Sequence, residues 1–258
     1  MKCNREKVNE ILVKGFTIVE KVIKTQDEVN ILKNLLQQAI VEDLEVWKDK
    51  QYLDKWMVHN LMTRGIPFAK LLENELMHSY LSELISSTCI LYAYTSSTMP
   101  PLGTNYSNRI HVDCPRVIQN YITNIGVMIA LDDFTPENGA TFFLPYSQHQ
   151  LQSPTIKEFE EQAEQIYPQQ GDAVIFNART WHKGGMNRTQ NPRHAITLNA
   201  CRSYMRQRFD YPRLVSPHIV DFLGETGKRF LGFNVRVPTS LEEYYLPKEK
   251  RLYKANQG

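Results

Sequence analysis

The sequence has little of what would tie it to an oxidising compartment, a membrane or a polyanion. Four cysteines, Cys3, Cys89, Cys114 and Cys201, stand far apart with no CxxC pair. Neither a zinc ribbon nor a dense disulfide framework is indicated, and reduced thiols in a cytosol are expected. No apolar run approaches the roughly 18 residues of a membrane span. The opening MKCNREKVNEILVKGF carries charges where a secretory leader needs an apolar centre. The expectation is a cytoplasmic protein with no membrane partner. Net charge is only +2, whereas a nucleic-acid binder concentrates basic charge on one face, so no nucleic-acid partner is expected. Arg202, Arg206, Arg208 and Arg213 do cluster locally; the first three can gather an anionic substrate or sit in solvated ion pairs.

What is present is a globular composition: 42% hydrophobic and 22% charged residues over 258 positions, enough for one large domain with a sizeable core. In Thr25-Gln26-Asp27-Glu28 the Ser/Thr-x-x-Glu form of a capping box predicts a helix start, with Ile31, Leu32, Leu35, Leu36, Ala39 and Ile40 as its buried stripe. A second amphipathic helix is predicted from near Pro67, with Phe68, Leu71, Leu72, Leu76, Tyr80 and Leu84 inward. From Cys89 the texture changes to short strand-like runs, CILYAYTS, RIHVD, ITNIGVMIALDD, ATFFLP, GDAVIFN and RHAITLNACRSY, separated by Pro, Gly, Asn and Asp. SPTIKEFEEQAEQ reads as an acidic surface helix between two of them. The predicted fold is mainly β with flanking α-helices. Residues 1–258 form one domain in this reading, with a helical buttress over about 1–88, a β core over about 89–210 and a C-terminal extension over about 211–258.

Chemistry enters at HVDCPR, residues 111–116. Within a strand, residues two apart share a face, so His111 and Asp113 project together with Arg109. By chance alone the seven histidines yield roughly one such His-x-acid pair, so the pair needs support from elsewhere. TWHKGG supplies a distant imidazole, His182, directly after the run GDAVIFN. Two imidazoles and one carboxylate on one face of an octahedron leave three positions open, which suits non-haem Fe(II); structural zinc fills its shell instead. Eleven residues past His182 stands Arg193, whose guanidinium can clamp a carboxylate through two parallel hydrogen bonds. Arg109 is a candidate for a substrate or co-substrate carboxylate, or a solvent-facing arginine. The other histidines, His59, His78, His149, His194 and His218, lack ligand spacing.

HVD, ALDDFTPENGATFFLPYSQH and WHKGGMNRTQNPR together resemble the phytanoyl-CoA dioxygenase family of Fe(II)- and 2-oxoglutarate-dependent oxygenases, as does the entry VKGFTIVEKVIKTQDEVNILKNLL. The resemblance runs from about residue 10 to 210. It implies a double-stranded β-helix, or jelly-roll, core, with His111, Asp113 and His182 holding Fe(II) and Arg193 holding the far carboxylate of 2-oxoglutarate. Dioxygen is then the second co-substrate. Met128 lies where the family packs an apolar side chain on the co-substrate, and a core role is equally open to it. The expected reaction is hydroxylation, or another oxidation, of a C–H bond in a small molecule of secondary metabolism, by a monomer or homodimer. The retained Asp113 implies no halide requirement, since related halogenases lack that carboxylate. A non-catalytic jelly-roll binding module and a zinc hydrolase are the competing readings. Two departures stand out: Pro145-Tyr146-Ser147-Gln148-His149 replaces the family's Pro-Gly-Ser-His turn, and Gly184 stands where a small hydroxyl residue is usual. The segments 51–67 and 95–108 are the expected lids over the barrel mouth.

Overall fold

In the computed structural model, which describes residues 2–50 and 55–257, the chain opens with α1 (Arg5–Lys14). The Asn4 side chain caps it by accepting from the Glu6 amide, and Gly15, at φ 103°, ends it and turns directly into β1 (Phe16–Val19). Helix α2 (Gln26–Val46) starts at Thr25, whose hydroxyl accepts from the Glu28 amide. Its buried stripe is Val29, Leu32, Leu36, Ala39 and Ile40. Ile31, expected inside, is exposed, because two residues of helix turn it about 200° from Val29.

The single helix expected from Pro67 is two. α3 (Ile66–Leu71) stops short of Asn74, whose side chain accepts from the Met77 amide and caps α4 (Glu75–Leu84). Phe68, Leu71, Leu72, Tyr80 and Leu84 are buried as expected, while Leu76 is only partly so.

Five of the strand-like runs become β2 (Ile90–Ser96), β3 (Asn124–Ala130), β4 (Phe142–Phe143), β6 (Ala173–Asn177) and β8 (Ala195–Cys201). Between them come α5 (Ile156–Gln162), β5 (Glu164–Gln165) and β7 (His182–Lys183). The complete capping box belongs to α5, at Thr155 and Glu158, and that helix buries only Phe159, as an acidic surface helix should. RIHVD forms no strand: His111 makes one isolated bridge to His182.

One sheet is antiparallel in the order β1-β6-β3-β8-β2, the other runs β5-β4-β7. The edge strand β1 comes from the segment expected as a helical buttress, so the core sheet borrows from it. Ile125, Val127, Ile129, Ile175, Ile196 and Leu198 share the outer face and join the helices in one buried cluster that extends from Val8 to Leu231. That cluster includes Tyr211, Val215, Ile219 and Phe230 of the C-terminal segment, which packs on the core through α6 (Tyr211–Leu214), α7 (Pro217–Phe222) and α8 (Glu225–Phe230). On the inner face Met128, Ala130, Val174, Phe176 and Ala195 meet Phe16, Phe134 and Phe143. The Phe143 ring packs 4.9 Å from Phe16 and 5.1 Å from Phe176, so β4 lies over the large sheet. Two facing antiparallel sheets with flanking helices make this a jelly-roll-type fold, and no described helix is long and apolar enough to cross a membrane.

Candidate metal centre

The turn between β6 and β7 brings the ligand candidates together. The Thr180 amide donates to the Asn177 carbonyl at 2.8 Å and the Arg179 amide to Asn177 Oδ1 at 3.0 Å, forming a tight corner. The Ala178 carbonyl in that corner accepts from the amides of both Asp113 (2.9 Å) and Cys114 (3.0 Å). One step on, His111 and His182 exchange reciprocal backbone hydrogen bonds of 3.0 and 2.9 Å. This pairing sets a local alternation. Ile110 and Val112 turn outward to pack with Trp181, Leu144 and Phe159, while His111 and Asp113 turn inward.

Inside, His111 Nε2 lies 3.7 Å and His182 Nε2 3.8 Å from Asp113 Oδ1, and one ligand atom from each residue falls within 4.8 Å of the others. The far side of each ring is fixed by the backbone: His111 Nδ1 lies 2.8 Å from the Arg109 carbonyl and His182 Nδ1 2.9 Å from that of Thr180. A carbonyl only accepts, so each Nδ1 carries the proton and each Nε2 offers a lone pair toward the shared point. Outer hydrogen bonds of this kind orient metal-binding imidazoles. Burial, reinforced by the neighbouring His182 imidazole, holds the His111 pKa down to about 4, keeping the ring neutral and available as a donor. The donor set, two imidazoles and a carboxylate, suits a first-row divalent metal.

The same cavity is lined by Met128, Thr141, Phe143, Phe176 and Thr197, with Met57, Tyr106 and Ser107 on the side of the expected lids. Residues 51–54 of the first lid segment lie outside the described residues. Thr141 Oγ1 points at Met128 Sδ, 3.8 Å away. Gly184 also lines the cavity, and a Cβ there would collide with Ser107 Oγ and Met99 Cε. The segment after Asn105 thus puts a hydroxyl where residue 184 has no side chain. Ser107 was not legible beforehand. Thr197 was not singled out either, although its place as a polar residue alternating with apolar ones in AITLNAC could have marked it.

Arg193 lies deeper, two pleats from Thr197 along the inner side of β8. It is 1% exposed, its guanidinium stacks 3.9 Å over the Phe134 ring, and Nη2 donates to the Gly139 carbonyl at 3.1 Å. Its Nε and Nη1 are buried with no partner. Burial lowers its pKa to about 9, against which the Asp132 charge acts. Arg193 is not among the residues lining the metal cavity. Arg109 does not join the group at all: it is exposed and lines a surface cavity with Ser153, Glu160 and Lys183. The expectation that alternation would carry it inward fails because the pairing that imposes alternation ends at His111.

The model of the phytanoyl-CoA dioxygenase family matches residues 12–195. The chain belongs to that family. An uncharacterised protein of Mycobacterium tuberculosis is 30% identical over 254 residues, covering 95% of this chain and 92% of that protein. The dioxygenase ALT11 of Alternaria alternata is 23% identical, covering 88% and 79%. Among solved structures, EctD from S. alaskensis in its apoform superposes with a TM-score of 0.64 at 14% identity, over 80% of this chain and 79% of that one, a likeness of fold. Membership of the phytanoyl-CoA dioxygenase family makes the chain an oxygenase.

Proposed function

We propose that this oxygenase is Fe(II)- and 2-oxoglutarate-dependent and oxidises a C–H bond of a small molecule, in the manner of a hydroxylase of secondary metabolism. In this reading residues 1–258 act as one catalytic domain. His111, Asp113 and His182 hold the iron. Arg193 takes the far carboxylate of 2-oxoglutarate, and Met128 packs against its carbon chain. The observation that carries the reading is the pair of buried, unpartnered nitrogens on Arg193, on the same inner strand face as the metal cavity. A buried guanidinium with two empty donors is costly unless an anion completes it. When bound, Fe(II) with 2-oxoglutarate and dioxygen supplies the oxidising power that turns C–H into C–OH, releasing succinate and carbon dioxide. The chain's own residues orient and exclude. The Arg109 and Thr180 carbonyls keep both Nε2 lone pairs aimed inward, Asp113 neutralises one positive charge, and Phe143 and Phe176 wall off water. Met128 and Thr141, which line the metal cavity, would flank the co-substrate, and Arg193 would hold its far end. With Asp113 as the third ligand, turnover would need no chloride.

The test is an anaerobic titration of 2-oxoglutarate into the Fe(II)-loaded protein, read by its visible charge-transfer band. Arg193→Ala should keep the iron and weaken 2-oxoglutarate by tens to thousands of fold, about 2–5 kcal/mol. Unchanged affinity removes Arg193 from the site. A zinc hydrolase would ignore 2-oxoglutarate altogether, and an inactive binding module would release no succinate.

A further inference from the structure

On the other side of the corner that carries the ligands lies a second cavity, of about 320 Å³, whose wall includes Arg116, Arg179, Arg202, His149, Asn177 and Tyr121 and no acidic residue. Arg116 and Arg179 stand three residues from Asp113 and His182 respectively, at most about 11 Å of extended chain. The Ala178 carbonyl, which holds the Asp113 and Cys114 amides, ties the two segments together. The cavity and the metal centre thus lie on adjoining stretches of backbone and share no lining residue.

None of the three arginines makes an ion pair among the described residues. Arg116 is exposed and makes no side-chain hydrogen bond there. Arg202 donates Nε to the Ile122 carbonyl at 2.9 Å and stacks 4.0 Å over the Tyr121 ring, which fixes its plane and leaves its terminal nitrogens uncommitted. Arg179 is the telling member. It is 6% exposed, Nη2 donates to the Gln150 carbonyl, Nη1 reaches the Cys114 and Pro115 carbonyls only at 3.5 Å, and its buried Nε has no partner. Three backbone carbonyls take its protons, but with no carboxylate beside it the charge of this nearly buried guanidinium is unanswered within the described residues.

We propose that this cavity is a binding site for the phosphoryl dianion of a small phosphate ester. A phosphoryl group brings two negative charges and three terminal oxygens to three guanidiniums, whereas a single carboxylate would leave two of the positive charges unanswered. The site does not depend on the oxygenase reading.

Binding of inorganic phosphate, methyl phosphate and acetate to the full chain is measured by calorimetry in metal-free buffer at matched ionic strength, so that phosphate has no iron to coordinate. Arg179→Ala risks the fold, since that side chain ties three backbone carbonyls, so Arg116→Ala and Arg202→Lys are the working variants, with exposed Lys157→Ala as control. The expected result is saturable binding of phosphate and methyl phosphate, weakened tenfold or more by Arg116→Ala and Arg202→Lys, unchanged by Lys157→Ala, and absent for acetate. Binding that ignores both arginine variants, or no saturable binding, overturns the site. Binding of free phosphate without methyl phosphate overturns the assignment, because an ester could not then be seated. Arginine-dependent binding alongside an Fe(II) protein that never takes 2-oxoglutarate sinks the oxygenase reading and leaves the anion site standing.

Discussion

The two sheets of the core are held in different ways. The five-stranded sheet is a continuous antiparallel ladder, with β3 paired on both sides along almost its whole length and an apolar face sealed by helices. The small sheet is built of two-residue strands and single bridges, such as His111 to His182 and Asn138 to Asn187. All three ligand candidates belong to the thin side. Their positions come from individual bonds to the Ala178, Arg109 and Thr180 carbonyls and from the two-residue pairing of β7 with β4, rather than from a long ladder. Scaffold and chemistry are thereby separated in part: a ligand side chain on the thin side can change with little cost to folding, and a side chain on the helix-facing side of the thick sheet with little effect on the metal.

The sharpest way to break that separation is Asp113→Ala. The Asp113 side chain is 25% exposed and its nearest partners are the two imidazoles, so stability should move by no more than about 0.5 kcal/mol. Iron content should fall by more than the 10–100-fold typical for loss of an outer partner, with succinate formation abolished. Asp113→Glu should keep some metal and misplace it. Metal analysis beside a denaturant melt reads both halves. Wild-type iron in Asp113→Ala would make HVD the chance pair that seven histidines allow.

The converse is Leu198→Ala on the outer face of β8, a fully buried residue of the helix-facing cluster. Leaving a cavity there should cost about 2–5 kcal/mol of stability while the folded fraction binds iron as the wild type does. Loss of iron affinity in parallel with stability would show that the two sheets move as one.

His194 sits where the two regimes meet, between Arg193 and the start of β8. Its Nδ1 lies 3.1 Å from Thr98 Oγ1 and its Nε2 3.2 Å from the Gln37 amide nitrogen. Its own amide donates to Asp132, which pairs with Lys33. Burial drives its pKa down to about 4, opposed by Asp132 and assisted by Lys33 and Arg193. The unfolded state therefore binds the proton first as pH falls below about 6.5. The stability due to a neutral His194 is complete above that pH and is lost as pH drops toward 4, on the order of 3 kcal/mol in all. His194→Asn should flatten that part of the stability-against-pH curve relative to wild type, and an unchanged slope would reject the assignment.

Legibility in the sequence followed the same division. The large sheet's runs were readable because they are short, largely apolar and bounded by Pro, Gly, Asn and Asp, and the His111/Asp113 pair because Ile110 and Val112 alternate with it. Arg109 was misjudged, since alternation survives only as far as the pairing that enforces it. Ile31 and the break at Asn74 were missed because apolar spacing alone does not say which side of a helix meets the core, or that an asparagine will cap a new helix. Arg116 and Arg179 are 63 residues apart, and nothing in either segment announces that the corner at Ala178 will bring them to one cavity. Long-range convergence of this sort is written in the turn geometry, not in local pattern.

The smallest effect expected is at the rebuilt turn of the thin side. Tyr146 stands where the family has glycine, and it adopts φ 63°, ψ 11° with its ring 64% exposed. The left-handed region brings Cβ against the neighbouring carbonyl, a cost of about 1 kcal/mol that glycine escapes. The turn is kept because the Tyr146 amide donates to the Lys14 carbonyl at 2.8 Å, and because Ser147 Oγ accepts from the Trp181 amide at 2.9 Å, one residue before His182. Tyr146→Gly should therefore gain about 0.5–1 kcal/mol, less than the full relief because glycine also loosens the unfolded chain. Tyr146→Ala keeps the strained φ and should gain nothing, and neither variant should change iron affinity, since the Ser147 link to Trp181 survives in both. Paired denaturant melts decide it: equal midpoints for the glycine and alanine variants would mean that the backbone at 146 carries no strain, and that the departure from the family's glycine is neutral.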